Sequence, residues 1–237
     1  MNLTRLELDW LEKEATTEAE LQLFVRRAQA GEPVAKIIGH KGFWKSDFIV
    51  SKDVLDPRPD SETLIEAVLE SYTDKEAALH ILDLGTGSGC LIISLLQEYP
   101  KATGVAVDIS ESALQIAKQN AKDLPIKFLC ADMCALPADL GKFDIVVSNP
   151  PYIARSEIEH LEVAVKNYDP LLALDGGPDG LDFYRQLSHL ALAEKLFVEI
   201  GQGQEHAVTD IMQQSGWTHQ KSWKDLGGIV RVLLFQK

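Results

Sequence analysis

The chain has 237 residues, 46% of them hydrophobic, which is enough for one sizeable globular domain plus a small appendage. Its formal net charge of −13 argues against a protein that holds nucleic acid by neutralising phosphates, and no cluster of lysines and arginines indicates a basic face. No apolar run is long enough to span a bilayer, and the first residues lack the apolar core of a signal peptide. These features predict a cytoplasmic protein with no membrane partner and make nucleic acid an improbable one.

The cysteines and histidines predict neither a disulfide framework nor a metal site. Three cysteines are an odd number, and the spacing of Cys130 and Cys134 has no accompanying histidines. We interpret these two and Cys90 as reduced packing residues of a cytosolic protein. The six histidines are scattered, and none lies beside a cysteine or serine in a setting typical of a nucleophile. We therefore expect no metal site and no nucleophilic triad.

Residues 1–33 predict a short N-terminal helical segment. Thr17 and Glu20 have the spacing of a capping box at the start of a second helix. Each of the two helices has one apolar face and would not fold alone, so we expect both to pack on the main domain or on a partner. The apolar residues that share one face of the first helix are Leu3, Leu6, Trp10 and Leu11.

Residues 34–52 predict a β-hairpin that links the helices to the rest of the chain. Polar and apolar residues alternate through this segment, around a turn expected at residues 45–47. We interpret its aromatic residues as packing rather than recognition residues. They are Phe43, Trp44 and Phe48.

The main domain is predicted over residues 53–237. It opens on the stiff, charged segment Asp56–Glu62, which leads into a helix from about Ser61 to Tyr72. Two interpretations stay open for the charges in this segment: ordinary charges at the start of a helix, or groups that act in a site. The residues concerned are Arg58, Asp60 and Glu62.

From His80 onward the pattern is strand, glycine-rich loop, helix, strand, helix, strand. The predicted strands cover residues 81–84, 103–107 and 126–130. Asp108 ends the second strand, some twenty residues past the loop, where a carboxylate can accept both hydroxyls of a ribose. After the third strand, Asp132 is placed to accept an adenine amine and Met133 to lie on the ring.

The loop between the first strand and its helix consists of Gly85, Thr86, Gly87, Ser88 and Gly89. Glycines let a ligand approach the main chain, but this feature alone is weak, because NAD-binding folds use a related pattern. A dinucleotide needs its pyrophosphate at the helix N-terminus, and Asp83 just before the loop would repel phosphate and attract an ammonium group. The pattern therefore favours S-adenosylmethionine over NAD.

A proline-rich segment follows the short buried strand at residues 143–147. Asn149 would sit at the carboxyl end of the sheet, where open α/β sheets bind ligands. Its side-chain oxygen and a backbone carbonyl beside Pro150 and Pro151 can accept the two hydrogens of a planar NH2 group, with Tyr152 over its face. The predicted substrate group is an amide or an exocyclic amine. The alternative is a rigid turn without function.

The remaining chain predicts further α/β elements. Helices are expected at residues 155–161, 182–193 and 204–214, a strand at 195–200, and two final strands ending near Phe235. Residues 168–180 predict a long loop, either a lid or a mobile surface loop. Glu199 is near the carboxyl end of a strand and could face the cofactor cavity, but we interpret it as structural.

Together these segments resemble the HemK/PrmC family. The resemblance covers essentially everything from Gly31 to Lys237 and implies a class I S-adenosylmethionine-dependent methyltransferase fold, a Rossmann-like α/β seven-stranded sheet with helices on both faces. It also implies methylation of the glutamine in the Gly-Gly-Gln tip of class 1 peptide chain release factors. The segments that carry the resemblance are Asp83–Gly89, Asp108, Ser148–Ile153, Pro57–Glu62 and Leu174–Tyr184.

The resemblance also assigns roles to residues. It places the cofactor on Gly85 to Gly89, Asp108, Met133 and Asn149, and the substrate glutamine on Asn149, Pro150, Pro151 and Tyr152. We expect Asn149, Pro150 and Tyr152 to carry the transfer, which needs alignment and desolvation more than an acid or a base. Two departures from the family are Met133, where relatives often have an aromatic residue, and the short helical front. The sequence leaves two other interpretations open: an adenine amino-methyltransferase, or a cofactor-binding protein without activity.

Overall fold

The N-terminal part of the computed structural model is a small helical unit. The structure describes residues 3–133, 135–137 and 140–237. The first three helices are α1 (Arg5–Glu14), α2 (Glu18–Gln29) and α3 (Val34–Ile38). They bury a cluster of their own, whose members are Leu11, Ala28, Val34 and Ile37. The two front helices therefore share a core with α3, which joins them to the rest of the chain.

Both front helices have side-chain caps. The predicted capping box at α2 is half formed: Thr17 Oγ1 accepts from the Glu20 N–H, but the Glu20 carboxylate accepts from Thr16 instead of Thr17. A complete box stands at α1, where Thr4 and Glu7 each accept from the other's N–H. Such caps stabilise a helix end by about 1 kcal/mol.

The hairpin occupies a smaller part of the chain than residues 34–52, over which the sequence predicted it. Its strands are β1 (His40–Phe43) and β2 (Ser46–Ile49), which pair antiparallel. Phe43 lies opposite Ser46. The turn therefore consists of Trp44 and Lys45, one residue earlier than predicted.

The residues before the hairpin are helical because a proline and a glycine supply the two helix ends. Pro33 is the N-cap of α3, and Gly39, with φ of 83°, closes it in the left-handed conformation. Its N–H donates to the Ala35 carbonyl at 2.8 Å. Packing is confirmed for two of the hairpin aromatics, since Phe43 and Phe48 are 3% and 1% exposed in the main core.

A seven-stranded sheet forms the centre of the main domain, as predicted. Its strand order is β5-β4-β3-β6-β7-β9-β8; the first five are parallel, and β9 and β8 are antiparallel to their neighbours. The chain builds outward from β3 in one direction and then returns to place β6 on its other side. In open α/β sheets a ligand crevice lies at such a reversal, beyond the carboxyl ends of the strands. In chain order the elements are α4 (Glu62–Ser71), β3 (His80–Leu84), α5 (Cys90–Glu98), β4 (Thr103–Asp108), α6 (Glu111–Ala121), β5 (Ile126–Cys130), β6 (Ile145–Ser148), α7 (Arg155–Ile158), α8 (Val163–Tyr168), α9 (Asp182–Ser188), β7 (Lys195–Glu199), α10 (Glu205–Gln214), β8 (Thr218–Lys224) and β9 (Val230–Gln236).

Helices cover both faces of the sheet and form two cores. Successive residues of β3 point to opposite faces, so Ile81 joins the core under α4 and α5, and Leu82 joins the core under α9 and α10. Both residues are fully buried. The central strands are apolar on both faces for this reason, and they hold their carboxyl ends in fixed positions.

The segment after β6 differs most from the sequence prediction. The helix predicted at 155–161 ends at Ile158, and α8 was not predicted. The helix predicted at 182–193 ends at Ser188. The residues after it lie along the sheet, because the Phe143 N–H donates to the Leu192 carbonyl and Phe143 pairs with Ala193.

Candidate active site

A cavity of about 430 Å³ lies at the carboxyl ends of β3, β4 and β6. The sequence-predicted residues that line it are Gly85, Thr86, Gly87, Ser88, Asp108, Asp132, Met133, Asn149 and Pro151. The remaining predicted residues, which are not among its lining, are Asp83, Gly89, Pro150 and Tyr152. The topology therefore brings together residues that are as much as 66 positions apart, from Gly85 to Pro151.

The glycine-rich loop is fixed to the neighbouring strand. The N–H groups of Gly85 and Thr86 both donate to the Val107 carbonyl at 2.9 Å. Gly85 has φ of 72°, a conformation that favours glycine, and a Cβ there would also displace the Met133 methyl carbon, which would lie 2.9 Å away. At Gly87 a Cβ would meet nothing within 4 Å. The loop thus presents open main chain to the cavity.

Asp83 lies behind this loop instead of in the cavity. Its side chain is fully buried, and the Thr86 hydroxyl donates to Asp83 Oδ2 at 2.6 Å. Burial raises the pKa of Asp83 to about 7. The direct electrostatic role predicted for Asp83 stays a prediction. The observed contact fixes the conformation of the loop.

Asp108 ends β4 and faces the cavity. Its Oδ2 accepts from the Gly87 N–H and its Oδ1 from the Ser110 N–H, both at 2.9 Å. A carboxylate has about four lone-pair sites, so each oxygen keeps capacity for another donor. The main chain therefore fixes the orientation of the Asp108 carboxylate at the cavity, and its predicted contact with a ribose stays a prediction.

Asn149 follows β6, and its amide bonds to a buried serine. Its Nδ2 donates to the Ser61 hydroxyl at 3.1 Å. Glu199 ends β7, which pairs with β6 so that Ser148 lies opposite Val198, and Asn149 and Glu199 are the next residues of the two strands. Ser61 and Glu199 are 2% and 1% exposed. Burial raises the pKa of Glu199 to about 7, although its polar neighbours Ser61 and Asn149, and Arg231, lower it.

The two prolines and Tyr152 continue from Asn149 along the loop after β6. Pro150 and Pro151 are buried, and Tyr152 packs on the core under α9 and α10. Burial raises the pKa of the Tyr152 phenol to about 12, so the phenol stays protonated at neutral pH. The Tyr152 carbonyl accepts from Gln204 Nε2 at 2.9 Å.

Residues 174–177 of the long loop are bound to the segment after Tyr152. The Ile153 N–H donates to Leu174, and the Gly176 N–H donates back to Ile153. A Cβ on Gly176 would lie 2.8 Å from the Pro151 carbonyl oxygen. The two backbones approach this closely because the loop carries glycine there. Movement of this part of the predicted lid would have to break these bonds.

From the sequence we assigned no site role to the wall formed by residues 53–58 and by the start of α9. Both segments line the cavity, the second through Phe183 and Gln186. The available sequence signals were the resemblance carried by Pro57–Glu62 and Leu174–Tyr184 and the charge of Arg58, whose guanidinium lies 2.6 Å from the Asp169 carboxylate.

A buried lysine holds this wall. Lys36 Nζ lies 2.8 Å from Asp56 and 3.3 Å from Asp169, and it donates to the Ser51 and Val54 carbonyls. The Lys36 side chain is only 4% exposed. This residue therefore ties α3 to the cavity wall and to the beginning of the 168–180 loop.

Some sequence predictions concern features other than the cavity. Of the three cysteines interpreted as packing residues, Cys90 packs against the main core. That interpretation is wrong for Cys130, which is exposed, and Cys134 lies outside the described residues. Among the described residues, no group of three or more His, Cys, Asp or Glu side chains is placed to hold a metal ion. No helix in the described part of the chain is long and apolar enough to cross a bilayer.

Comparison with known proteins gives consistent matches. The family model described as a methyltransferase domain matches residues 81–176. A release factor glutamine methyltransferase of Rhodospirillum rubrum is 44% identical over 229 residues, which cover 92% of this chain and 68% of that protein. The protein of the same description from Caulobacter vibrioides is 41% identical, with coverage of 98% and 84%. A solved methyltransferase structure from Pyrococcus furiosus, 15% identical, has a TM-score of 0.57 over 91% of this chain and 97% of that chain, which supports the predicted fold alone.

Proposed function

The chain belongs to the release factor glutamine methyltransferase family, and on this basis we propose that it methylates the side-chain amide nitrogen of a protein glutamine. The proposed substrate is the glutamine of the Gly-Gly-Gln motif in a class 1 peptide chain release factor. The enzyme is a protein-glutamine N-methyltransferase, and S-adenosylmethionine is its cofactor. We also propose a cytoplasmic location, without a membrane or nucleic-acid partner.

The cavity fits this cofactor. The open main chain at Gly87, where a Cβ would meet nothing, suits close approach of an amino-acid moiety. Asp108 has lone pairs for two ribose hydroxyls, and Asp132 and Met133 line the region expected for the adenine. S-adenosylmethionine supplies an electrophilic methyl group on a cationic sulfur. The expected holding residues are Asp83, Gly85, Thr86, Gly87, Ser88, Gly89, Asp108, Asp132, Met133 and Asn149.

The observation that carries the proposal is the orientation of the Asn149 amide. Its NH2 group donates to the buried Ser61 hydroxyl, and the residue lines the cavity. Its carbonyl oxygen is therefore the end available to a substrate. An oxygen at this position accepts an N–H of a planar amide, with a Pro150 backbone carbonyl as the second predicted acceptor and Pro151 and Tyr152 beside it.

These two acceptors, the Asn149 side-chain oxygen and the Pro150 carbonyl, form an amide receptor that addresses the main chemical difficulty of the reaction. An amide nitrogen is a poor nucleophile because its lone pair is delocalised into the carbonyl. Two acceptors that hold its hydrogens orient the nitrogen, and they bind it better as it becomes pyramidal and positively charged. Pro151, which is buried and lines the cavity, is placed to keep water from the amide, and Pro150 and Tyr152 hold Pro151 from behind. No general base would be required before the transfer: the N–CH3 bond would form as the S–CH3 bond breaks, and the nitrogen would then release one of its two protons to solvent.

Mass spectrometry tests the substrate directly. The protein is incubated with S-adenosylmethionine and a release factor, and the Gly-Gly-Gln peptide is expected to gain one methyl group. A parallel incubation with bulk nucleic acid tests the amino-methyltransferase alternative. Methyl groups in nucleic acid only, or cofactor binding without methylation of either substrate, would overturn the proposal.

The Asn149→Ala variant tests the role of the receptor. We expect turnover to fall by roughly 100-fold or more, because an oxygen that aligns the nucleophile in the transition state is removed. Cofactor binding, measured by calorimetry, should be partly retained. Asn167→Ala, the same change at an exposed position on α8, is the matched control and should retain full activity. Equal activity of the two variants would contradict the role of Asn149.

A further inference from the structure

The buried carboxylate of Glu199 has a feature that the proposed function does not use. It is the last residue of β7, 1% exposed, and its Oε2 has no hydrogen-bond partner among the described residues. Burying a charged group without full hydrogen bonding is costly, so this carboxylate calls for an explanation. Glu199 is not among the residues that line the cavity, so it acts on a substrate only through other side chains.

Its neighbours are the two residues next to the reaction site. Ser61 is the last residue of the short 3-10 helix Pro59–Ser61 before α4, and Asn149 follows β6; both line the cavity. Ser148 lies opposite Val198 in the parallel pair β6–β7, so Asn149 and Glu199 are the next residues of the two strands, and both Asn149 and Ser61 influence the Glu199 carboxyl. Three elements that are far apart in the sequence therefore meet at one carboxylate. The Ser61 hydroxyl accepts from Asn149 Nδ2, which leaves its own proton for Glu199.

We propose that Glu199 is a positioning residue that, directly and through Ser61, fixes the side-chain amide of Asn149 with its oxygen toward the substrate. The reason is that an ionised carboxylate only accepts hydrogen bonds. It therefore selects the NH2 end of Asn149 for the buried side, and a flipped amide would place oxygen against oxygen. The inference rests on the proposed function, in which that oxygen receives the substrate amide.

Glu199→Gln is the decisive variant, assayed at about pH 8, where the wild-type carboxyl is mainly ionised. It keeps the size of the side chain but replaces one acceptor oxygen with an NH2 donor, so either orientation of Asn149 then finds a partner. We expect kcat/KM for the methylated substrate to fall roughly 10- to 100-fold, the range for a lost hydrogen bond to a charged group. The Kd for S-adenosylmethionine should change much less than kcat/KM, because Glu199 does not line the cavity and most of the expected cofactor-holding residues are untouched.

A second pair in the chain provides a matched control. The Ser222 hydroxyl donates to Glu205 Oε1 at 2.8 Å, away from the cavity. Glu205→Gln makes the same chemical change beside a serine and should leave kcat/KM unchanged. Ser61→Ala removes the intermediate hydroxyl and should lower kcat/KM in the same direction as Glu199→Gln.

A spectroscopic measurement keeps the inference independent of activity. The chain has four asparagines, so selective 15N labelling gives few side-chain amide signals, and Asn149→Ala identifies the relevant one. Its two NH2 resonances should shift in Glu199→Gln and stay in place in Glu205→Gln. Unshifted resonances, unchanged kcat/KM, or an equal loss of cofactor binding would overturn the positioning role. An inactive wild-type enzyme would refute the proposed function instead, and the resonances would still decide the orientation.

Discussion

Replacement of the buried lysine in the cavity wall should destabilise the whole protein. In Lys36→Met the carboxylates of Asp56 and Asp169, whose side chains are 7% and 1% exposed, lose a cation that lies 2.8 and 3.3 Å away. Arg58 still pairs with Asp169, so Asp56 becomes the uncompensated charge. Breaking a buried ion pair costs about 3 to 5 kcal/mol. For a chain of this length that corresponds to a fall in Tm of roughly 6 to 20 °C.

Urea and thermal denaturation of the cofactor-free protein measure this loss. The matched control is Lys101→Met, whose partner Glu76 is exposed, and that pair should contribute at most about 1 kcal/mol. Adding Asp56→Asn to Lys36→Met should restore part of the stability, because the uncompensated charge is then removed. A loss in Lys36→Met no larger than in Lys101→Met would refute the reasoning. So would a double variant that is less stable than the single one.

Two further predictions follow from buried carboxylates and from a glycine in the long loop. Burial raises the pKa values of Asp83 and Glu199 to about 7, so the folded state binds more protons than the unfolded state above about pH 4. The favourable contribution of the two protonated carboxyls to stability is complete at low pH and is lost as pH rises through about 7. The free energy of unfolding of the cofactor-free protein, measured in urea, should therefore fall between pH 5 and 7. The fall should be at most roughly 3 kcal/mol for each group. At Gly180, with φ of 75°, a Cβ would collide with the Tyr152 carbonyl oxygen, so Gly180→Ala should lower both stability and methyl transfer, the latter roughly 10-fold. Gly203→Ala, with φ of 83° and open space, is the control and should cost only about 1 kcal/mol of strain.

Specific results would contradict the prediction on pH dependence and the prediction on Gly180. A free energy of unfolding that stays constant or increases from pH 5 to 7 would mean that the two carboxylates are ionised in the folded protein throughout that range. The Glu199→Gln variant separates the contribution of Glu199 from that of Asp83, because it should make the free energy of unfolding less dependent on pH. Equal methyl transfer in Gly180→Ala and Gly203→Ala would show that the contact with Tyr152 does not position the substrate-binding segment.

The parts of the fold predicted well are those encoded by local patterns. β3 and β4 appear close to their predicted limits, because apolar runs that end at a glycine or an acidic residue leave few alternatives to a buried strand. The edge strand β5 also has its predicted limits, although none of its residues is fully buried. The α3 segment was missed because a five-residue helix has no periodicity to detect, and its ends depend on Pro33 and Gly39. Likewise, α9 ends early because Ala193 pairs with Phe143, which precedes α9 by many residues and cannot be linked to it by any local pattern.

The cavity residues also divide into those that local sequence patterns predicted and those that only distant contacts placed. By itself the sequence determined the glycine-rich loop, Asp108 and Asn149, because each follows directly from a strand end and its chemistry. Tertiary structure alone decided that Asp83 is sealed behind the loop, and that Lys36 holds a wall of the cavity. It also gave Glu199 its partners, Ser61 and Asn149. The physical reason is that burial and hydrogen-bond partners depend on which elements, distant in the sequence, pack together. The apolar pattern of a strand and the residue at its end are instead determined by neighbouring residues in the sequence.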